Sequence, residues 1–381
     1  SRTALIFPNK RANLFFNEYL AGESDQPIWS PAAMSISDLF QKLSVQKSGD
    51  PIRLVCELYK VFKEETQSQE TLDDFYFWGE LLISDFDDVD KNMVDADKLF
   101  SNLQDLKNLM DDYEFLDKEQ EEAIQQFFQN FSIEKRTELK EKFISLWDKL
   151  GTIYHRYRAN LTELGIAYEG MLYRNVIEQL DTDQLKYDKY IFVGFNVLNK
   201  VESDFFRKLK DAGKALFYWD YDIFYTQQIK KHEAGEFLKR NLEEFPNELP
   251  ESFFDTFKEP KKIRYISAST ENAQARFLPE WIKMITDNHS QIAEEKEKEN
   301  AVVLCNEALL LPVLHSIPQE VKNVNITMGF PLAQTPVYSF INAVMELQTN
   351  GYHSDTCRFT YEAVSAILKH PYTQQLSSHA S

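Results

Sequence analysis

Two short stretches carry the residues most able to do chemistry. Asn9-Lys10-Arg11 follows an apolar run, Ala4-Leu5-Ile6-Phe7, closed by Pro8. Such a run reads as a short buried strand. Its carboxyl end is where open α/β sheets collect ligands. A lysine and an arginine there could hold backbone phosphates of a single nucleic-acid strand. As readily, the triplet is an exposed basic helix start. The second stretch is Trp219-Asp220-Tyr221-Asp222-Ile223-Phe224-Tyr225, directly after another expected strand. Trp219, Tyr221 and Tyr225 could stack on bases. The plainer reading has these rings covering the edge of the core.

Nucleotide hydrolysis needs different residues, and they are missing. A phosphate-cradling loop requires glycines, a lysine and a Ser or Thr for magnesium. The only Gly-Lys dipeptide is Gly213-Lys214, followed by Ala215, and it reads as a helix end. Magnesium-binding carboxylates would end a buried strand. The strand Tyr190–Val193 instead ends in Gly194-Phe195-Asn196, and no Asp-Glu dipeptide occurs in the chain. Neither Phe195 nor Asn196 replaces a charged metal ligand or a water-activating base. Glu138-Leu139-Lys140 and Glu294-Glu295-Lys296 have the spacing of a nuclease Glu-x-Lys. Both fall in helical or charged surroundings and read as solvated faces. No serine nucleophile elbow is present, and Cys305 lies in an apolar run. No cofactor is expected.

The elements around these stretches predict an α/β protein. Helix is expected from about Arg11 to Leu20, then a Pro-rich loop and a short helix after Ser35 or Ser37. From Pro51 to about Leu180 apolar residues recur at helical spacing. Leu54, Val55, Leu58, Val61 and Phe62 form one stripe. Others run from Leu99 to Met110, from Leu139 to Tyr154 and from Glu169 to Leu180. The acidic stretch Asp85 to Asp97 is read as joining two of these helices. A strand–helix–strand unit follows: Tyr190–Gly194, Val201–Lys210 and Ala215–Trp219, implying parallel strands. The helical block is then an insertion in one domain, residues 1–50 plus 181–225. Residues 226–261 suit a helix and a linker. Residues 262–381 suggest a second α/β domain. Its expected strands are Ile263–Ser267, Ala301–Cys305 and Asn325–Thr327. Its expected helices are Glu271–Thr286, Val337–Leu347 and Tyr361–Leu368.

Composition narrows the function. The net charge is −19, which opposes general DNA binding by counterion release. A local basic groove can still form, because the field at a site depends on nearby charges. Three scattered cysteines suit a reducing compartment and form no zinc pattern. With no apolar run of membrane-spanning length, a cytoplasmic protein without a membrane partner is expected. The chain opens on a strand after two residues and ends in Ser377-Ser378-His379-Ala380-Ser381. This predicts a fragment with a loose tail.

In order and spacing these landmarks resemble the superfamily 1 helicase fold of the UvrD and RecB type. They resemble most its degenerate AddB-like members, exonuclease subunits with an inactivated helicase region. TALIFPNKRANLFFNEYL, from Thr3, is similar to the strand and helix after the phosphate loop. YIFVGFN, from Tyr190, occupies the place of the acidic magnesium motif. WDYDIFY, from Trp219, resembles the Gly-Asp-x-x-Gln-x-Ile-Tyr segment, with Asp220 at the Asp position. SASTENAQARFLPEW, AVVLCNEALLLPVLHSIP and NITMGFPLAQTPVYSF resemble successive parts of the second motor domain.

The resemblance implies two RecA-like parallel-sheet domains, with a large all-helical insertion in the first. The second is cut at a further helical insertion. It also implies a PD-(D/E)XK nuclease domain further along, single-stranded DNA as ligand and an AddA-like helicase-nuclease partner. Without the acidic pair, ATPase activity does not carry over. Two alternatives stay open: a protein-interaction scaffold that binds no nucleic acid, and an ATPase whose phosphate loop lies outside this chain.

Overall fold

The computed structural model describes residues 2–23, 26, 29–100, 149–228, 232–285 and 300–378. They divide into two compact units, meeting at Pro260 and Lys261. Glu138-Leu139-Lys140, Glu294-Glu295-Lys296 and parts of the stripes between Leu99 and Trp147 lie outside the described residues. Among the described residues, no helix is long and apolar enough to cross a membrane.

The first unit is built on a four-stranded parallel sheet. Its strands are β1 (Thr3–Phe7), β2 (Ala32–Ser35), β5 (Lys189–Val193) and β6 (Ala215–Tyr218), in the order β2-β1-β5-β6. All three pairings are parallel. β1 occupies an inner position because Ala4, Leu5, Ile6 and Phe7 are all buried. An unbroken apolar run suits a strand covered on both faces. β2 was expected as loop. Its sequence, Ala-Ala-Met-Ser, has little strand propensity, and pairing with β1 supplies what propensity does not.

α1 (Lys10–Gly22) connects β1 to β2, and α2 (Ile36–Leu43) follows β2. Ser35 begins α2 with a reciprocal capping box to Asp38. Between β2 and β5 the described residues are mainly helical. α3 (Pro51–Thr66) buries Leu54, Val55, Leu58, Val61 and Phe62. α4 (Leu72–Lys91) and α5 (residues 149–163) follow. A short parallel pair joins the chain before and after them: β3 (Lys47–Ser48) with β4 (Ile166–Ala167). α6 (Glu169–Gln179) then leads to β5, and α7 (Lys200–Asp211) connects β5 to β6.

One expectation in this region needs correction, that of the acidic stretch. Asp85, Asp87, Asp88 and Asp90 do not join helices; they lie within α4. The apolar positions Phe75, Gly79, Phe86 and Val89 continue the helical period through the acidic run, which keeps it helical. The helical block packs against the sheet and its helices. Phe40 of α2 stacks on Tyr173 of α6 at 4.2 Å and lies 5.1 Å from Phe205 of α7. One hydrophobic core runs from Ile6 and Phe192 to Phe86 and Tyr157. The unit closes with α8 (Glu233–Glu244), whose Leu238 is buried, and with Phe245 and Phe254.

The second unit differs more from expectation. Helix forms at α9 (Glu271–Arg276) and α10 (Leu278–Ile285), capped by Thr270. The break at Phe277 comes from Pro279, which has no N–H to donate. α11 (Leu310–Ser316), α12 (Pro336–Thr349), α13 (Tyr361–Leu368) and α14 (Pro371–Ser378) follow. Ser377 and Ser378, read as tail, are in α14. Residues 263–267, 301–305 and 325–327, expected as strands, belong to no ladder. A strand exists through its ladder, and none of these segments has a paired neighbour among the described residues. The paired strands of this unit are β7 (Tyr352–His353) and β8 (Arg358–Phe359), an antiparallel pair not foreseen.

Candidate functional site at the carboxyl edge of the sheet

The ladder register brings four chain exits to one edge. Phe7 pairs with Ser35, Ile6 with Phe192, and Val193 with Tyr218. The residues chosen from sequence therefore lie along one edge, with β5 standing between the β1 and β6 exits. Asn9-Lys10-Arg11 leaves β1, Gly194-Phe195-Asn196 leaves β5, and Trp219-Asp220-Tyr221 leaves β6.

At the β1 exit, Asn9 caps α1, its Oδ1 accepting from the Ala12 N–H at 3.1 Å. Asn9 is thus occupied in starting the helix. The first turn of α1 carries no acidic residue, and Lys10 and Arg11 stand there instead. That places two cations at the positive end of a helix dipole, an arrangement that favours an anion. An anion is already present. Lys10 Nζ lies 3.1 Å from Asp38 Oδ1. Asp38 also accepts from the Ser35 hydroxyl at 2.8 Å. Burial works against this charge, but the bonds from Ser35 and Lys10 outweigh it and hold the Asp38 carboxyl below its ordinary range. Arg11 forms no ion pair with a described residue. Lys10, Arg11, Asn13, Ser35 and Asp38 line an open depression of about 560 Å³.

At the β5 exit, Gly194 takes a left-handed conformation, φ 72°. Phe195 then turns inward, 4% exposed, and packs on Phe206 and Phe192. The Asn196 carbonyl accepts from Asn241 Nδ2 at 2.6 Å. The place where the resemblance puts a magnesium ligand is filled by an aromatic ring in the core.

At the β6 exit all three aromatics are engaged with other rings of the unit, and Trp219 alone is fully buried. Trp219 is 3% exposed and packs against both Phe217 and Phe245, with Nε1 donating to the Phe245 carbonyl at 2.8 Å. Tyr221 lies flat on Phe254, with ring centres 4.4 Å apart. Tyr225 sits within 5 Å of both Phe257 and His232. The reason is local. Phe245, Phe254 and Phe257 return to this edge, burying Trp219 and half-burying Tyr221 and Tyr225. Asp222, which sequence reasoning passed over, fixes that return. Its carboxylate accepts from the backbone N–H groups of Phe224, Thr256 and Phe257 at 2.8, 3.0 and 2.8 Å. Asp220 remains exposed beside it.

In the second unit, Ser339 Oγ and His370 Nε2 lie 3.0 Å apart. His370 Nδ1 accepts from the Tyr372 N–H, so Nε2 carries the proton and donates to Ser339. Ser339 donates in turn to the Pro336 carbonyl. This is the wrong direction for activating a nucleophile.

Comparison with protein-family models finds no match for this chain, and a search among curated proteins finds none either.

Proposed function

We propose that this chain is the non-hydrolysing, helicase-like region of an AddB-type recombination exonuclease. In this reading residues 1–50 and 181–225 form a RecA-like domain, residues 51–180 a helical insertion, and residues 262–381 a second such domain. The region holds single-stranded DNA by its phosphates at Lys10 and Arg11, steers it toward a distal nuclease and docks a motor subunit. One observation carries the reading. The strand exit that would present a metal-binding carboxylate presents Phe195 to the core instead. A parallel sheet that keeps a basic helix start on the same edge supports binding without hydrolysis.

Anisotropy of a labelled single-stranded oligonucleotide, titrated at several salt concentrations, tests this. Binding that weakens with salt, and weakens further in Lys10→Ala and Arg11→Ala, is expected. Equal affinity of both variants and the parent chain at low salt would sink it.

A protein-interaction scaffold is the second reading, and α1 favours it. Leu14 and Tyr19 on its outer side are 70% and 74% exposed, and Lys10 already has Asp38 as its counter-ion. Absence of any oligonucleotide binding at low salt would select this alternative.

A further inference from the structure

In the first unit, α4 turns Phe75, Gly79, Phe86 and Val89 inward. A Cβ on Gly79 would stand 2.9 Å from the Val55 side chain of α3, so the two helices lie tight together on that side. This packing fixes which side of α4 faces out. Phe77, Trp78 and Leu81 stand on the outer side, Phe77 71% exposed and the other two 45% each. The Phe77 and Trp78 rings meet edge to face at 6.1 Å, and Leu81 follows Phe77 by one helical turn. Apolar side chains grouped in this way, with polar residues around them, mark a surface that another molecule covers.

The surrounding charge is of one sign. From Gln67 to Asp90 the sequence holds eight acidic residues and no Lys or Arg. Asp73, Asp74, Glu80, Asp85 and Asp88 are exposed and form no ion pair with a described residue. Their inward neighbours differ: Asp87 pairs with Lys91 at 2.7 Å and Asp90 with Arg158 at 2.8 Å. Asp88 stands in the last turn of α4, where the helix dipole disfavours a negative charge. Burial, then the Asp88 charge, pushes the Asp85 carboxyl above its ordinary range. The outer side of α4 therefore joins an apolar centre to a rim of carboxylates with no described counter-ion.

We propose that the outer face of α4 docks a basic amphipathic helix of a partner protein, with Phe77, Trp78 and Leu81 as the apolar centre and the carboxylates as its rim. From Asp73 to Asp88 the face is about 22 Å long, which matches a helix of about fifteen residues. Such a helix presents apolar anchors one turn apart, and lysines or arginines beside them meet the rim. Charge selects this occupant over two others. Residues 101–148 of this chain hold twelve acidic and six basic residues, and a second copy brings a net charge of −19. Either adds negative charge to a face that already lacks a counter-ion, whereas a basic partner supplies one. The face shares no residue with the sheet edge, so it holds whether or not that edge binds nucleic acid.

Anisotropy of a labelled peptide of about fifteen leucines and lysines in amphipathic order, titrated with the whole chain, tests it. Binding is expected at low salt, about tenfold weaker in Phe77→Ala with Leu81→Ala. In Asp85→Asn with Asp88→Asn it is expected to be weaker and less dependent on salt. Lys10→Ala with Arg11→Ala is expected to bind no less tightly than the parent chain, which separates this face from the sheet edge. No binding at low salt would overturn the proposal, as would equal binding of a scrambled peptide of the same composition. Equal affinity of Phe77→Ala with Leu81→Ala and the parent chain would do the same. Hydroxyl-radical labelling of the free chain gives a further check, with Phe77 and Trp78 expected to react. Protection of both at every concentration would mean that this chain covers its own face. Protection that grows with concentration would assign the face to a second copy, and either result would overturn the proposal.

Discussion

The Tyr154 hydroxyl donates to the Asp90 carboxylate at 2.6 Å, where that carboxylate has no exposure to solvent. Tyr168 donates to its Oδ2 at 2.5 Å, and Arg158 Nη1 donates to Oδ1, the oxygen Tyr154 meets, at 2.8 Å. Arg158 also donates to Asn175 at 2.9 Å; Asn175 donates to Gln46 at 2.7 Å, and Gln46 donates to the Ile166 carbonyl at 3.3 Å. One polar chain thus ties α4, α5 and α6 to the point where β3 meets β4.

Asp90→Ala leaves Arg158, Arg174 and two tyrosine hydroxyls without this acceptor. Removing one partner of a buried pair costs about 3–5 kcal/mol. Urea unfolding is expected to show a loss of that size, with a smaller loss in Asp90→Asn, which keeps an acceptor oxygen. A change near zero in Asp90→Ala would mean that solvent reaches the site.

The same region predicts alkaline sensitivity. Burial, then the neighbouring Asp90 carboxylate, pushes Tyr154 up to about 12. Burial likewise raises Tyr157, Tyr168 and Tyr173. A raised folded-state value means that the unfolded chain loses its proton first as pH rises. The stabilisation is therefore complete below pH 10 and, for Tyr154, is lost between pH 10 and about 12. The last part of the tyrosinate absorbance is expected to appear only together with loss of helical circular dichroism, because four of the 18 tyrosines are held neutral by burial. The full absorbance of all 18 reached with the fold intact would contradict the burial argument.

How much of this was legible depended on whether the information was local. β1, β5 and β6 stand out because continuous apolar runs need no partner to be recognised. β2 does not, because its pairing with β1 is what makes it a strand. The basic triplet at Asn9 was readable, whereas Asp38 was not, since its meeting with Lys10 depends on the sheet register. Asp90 was misread as linker, though Phe86 and Val89 before it mark the inward face of α4. Trp219 was visible as a ring after a strand. Its burial depends on Phe245, a distant residue that no local pattern connects to it.

Asp38 sets the availability of Lys10. Asp38→Asn removes the competing charge while leaving Ser35 an acceptor to pair with. If phosphates bind at this edge, affinity for a single-stranded oligonucleotide is expected to rise roughly two- to fivefold, the scale of one exposed ion pair. Low pH acts in the same direction. The lowered Asp38 carboxyl keeps its stabilising charge above pH 3.8 and loses it as pH falls through its folded-state value. Unchanged affinity in Asp38→Asn would show that Lys10 does not meet the ligand.

Rebuilding the acidic exit of β5 is expected to fail. Phe195→Asp places a carboxylate against the Phe192 and Phe206 rings in the core. An unpaired charge in such surroundings costs several kcal/mol or takes up a proton. The loss of the Phe195 ring adds the cost of a cavity, about 3–5 kcal/mol for a full truncation. Phe195→Asp with Asn196→Glu is therefore expected to lower the melting temperature sharply and to show no magnesium binding by calorimetry. A double variant that stays folded and binds magnesium would mean that the exit can turn outward, and that Phe195 is a replaceable plug rather than part of the core.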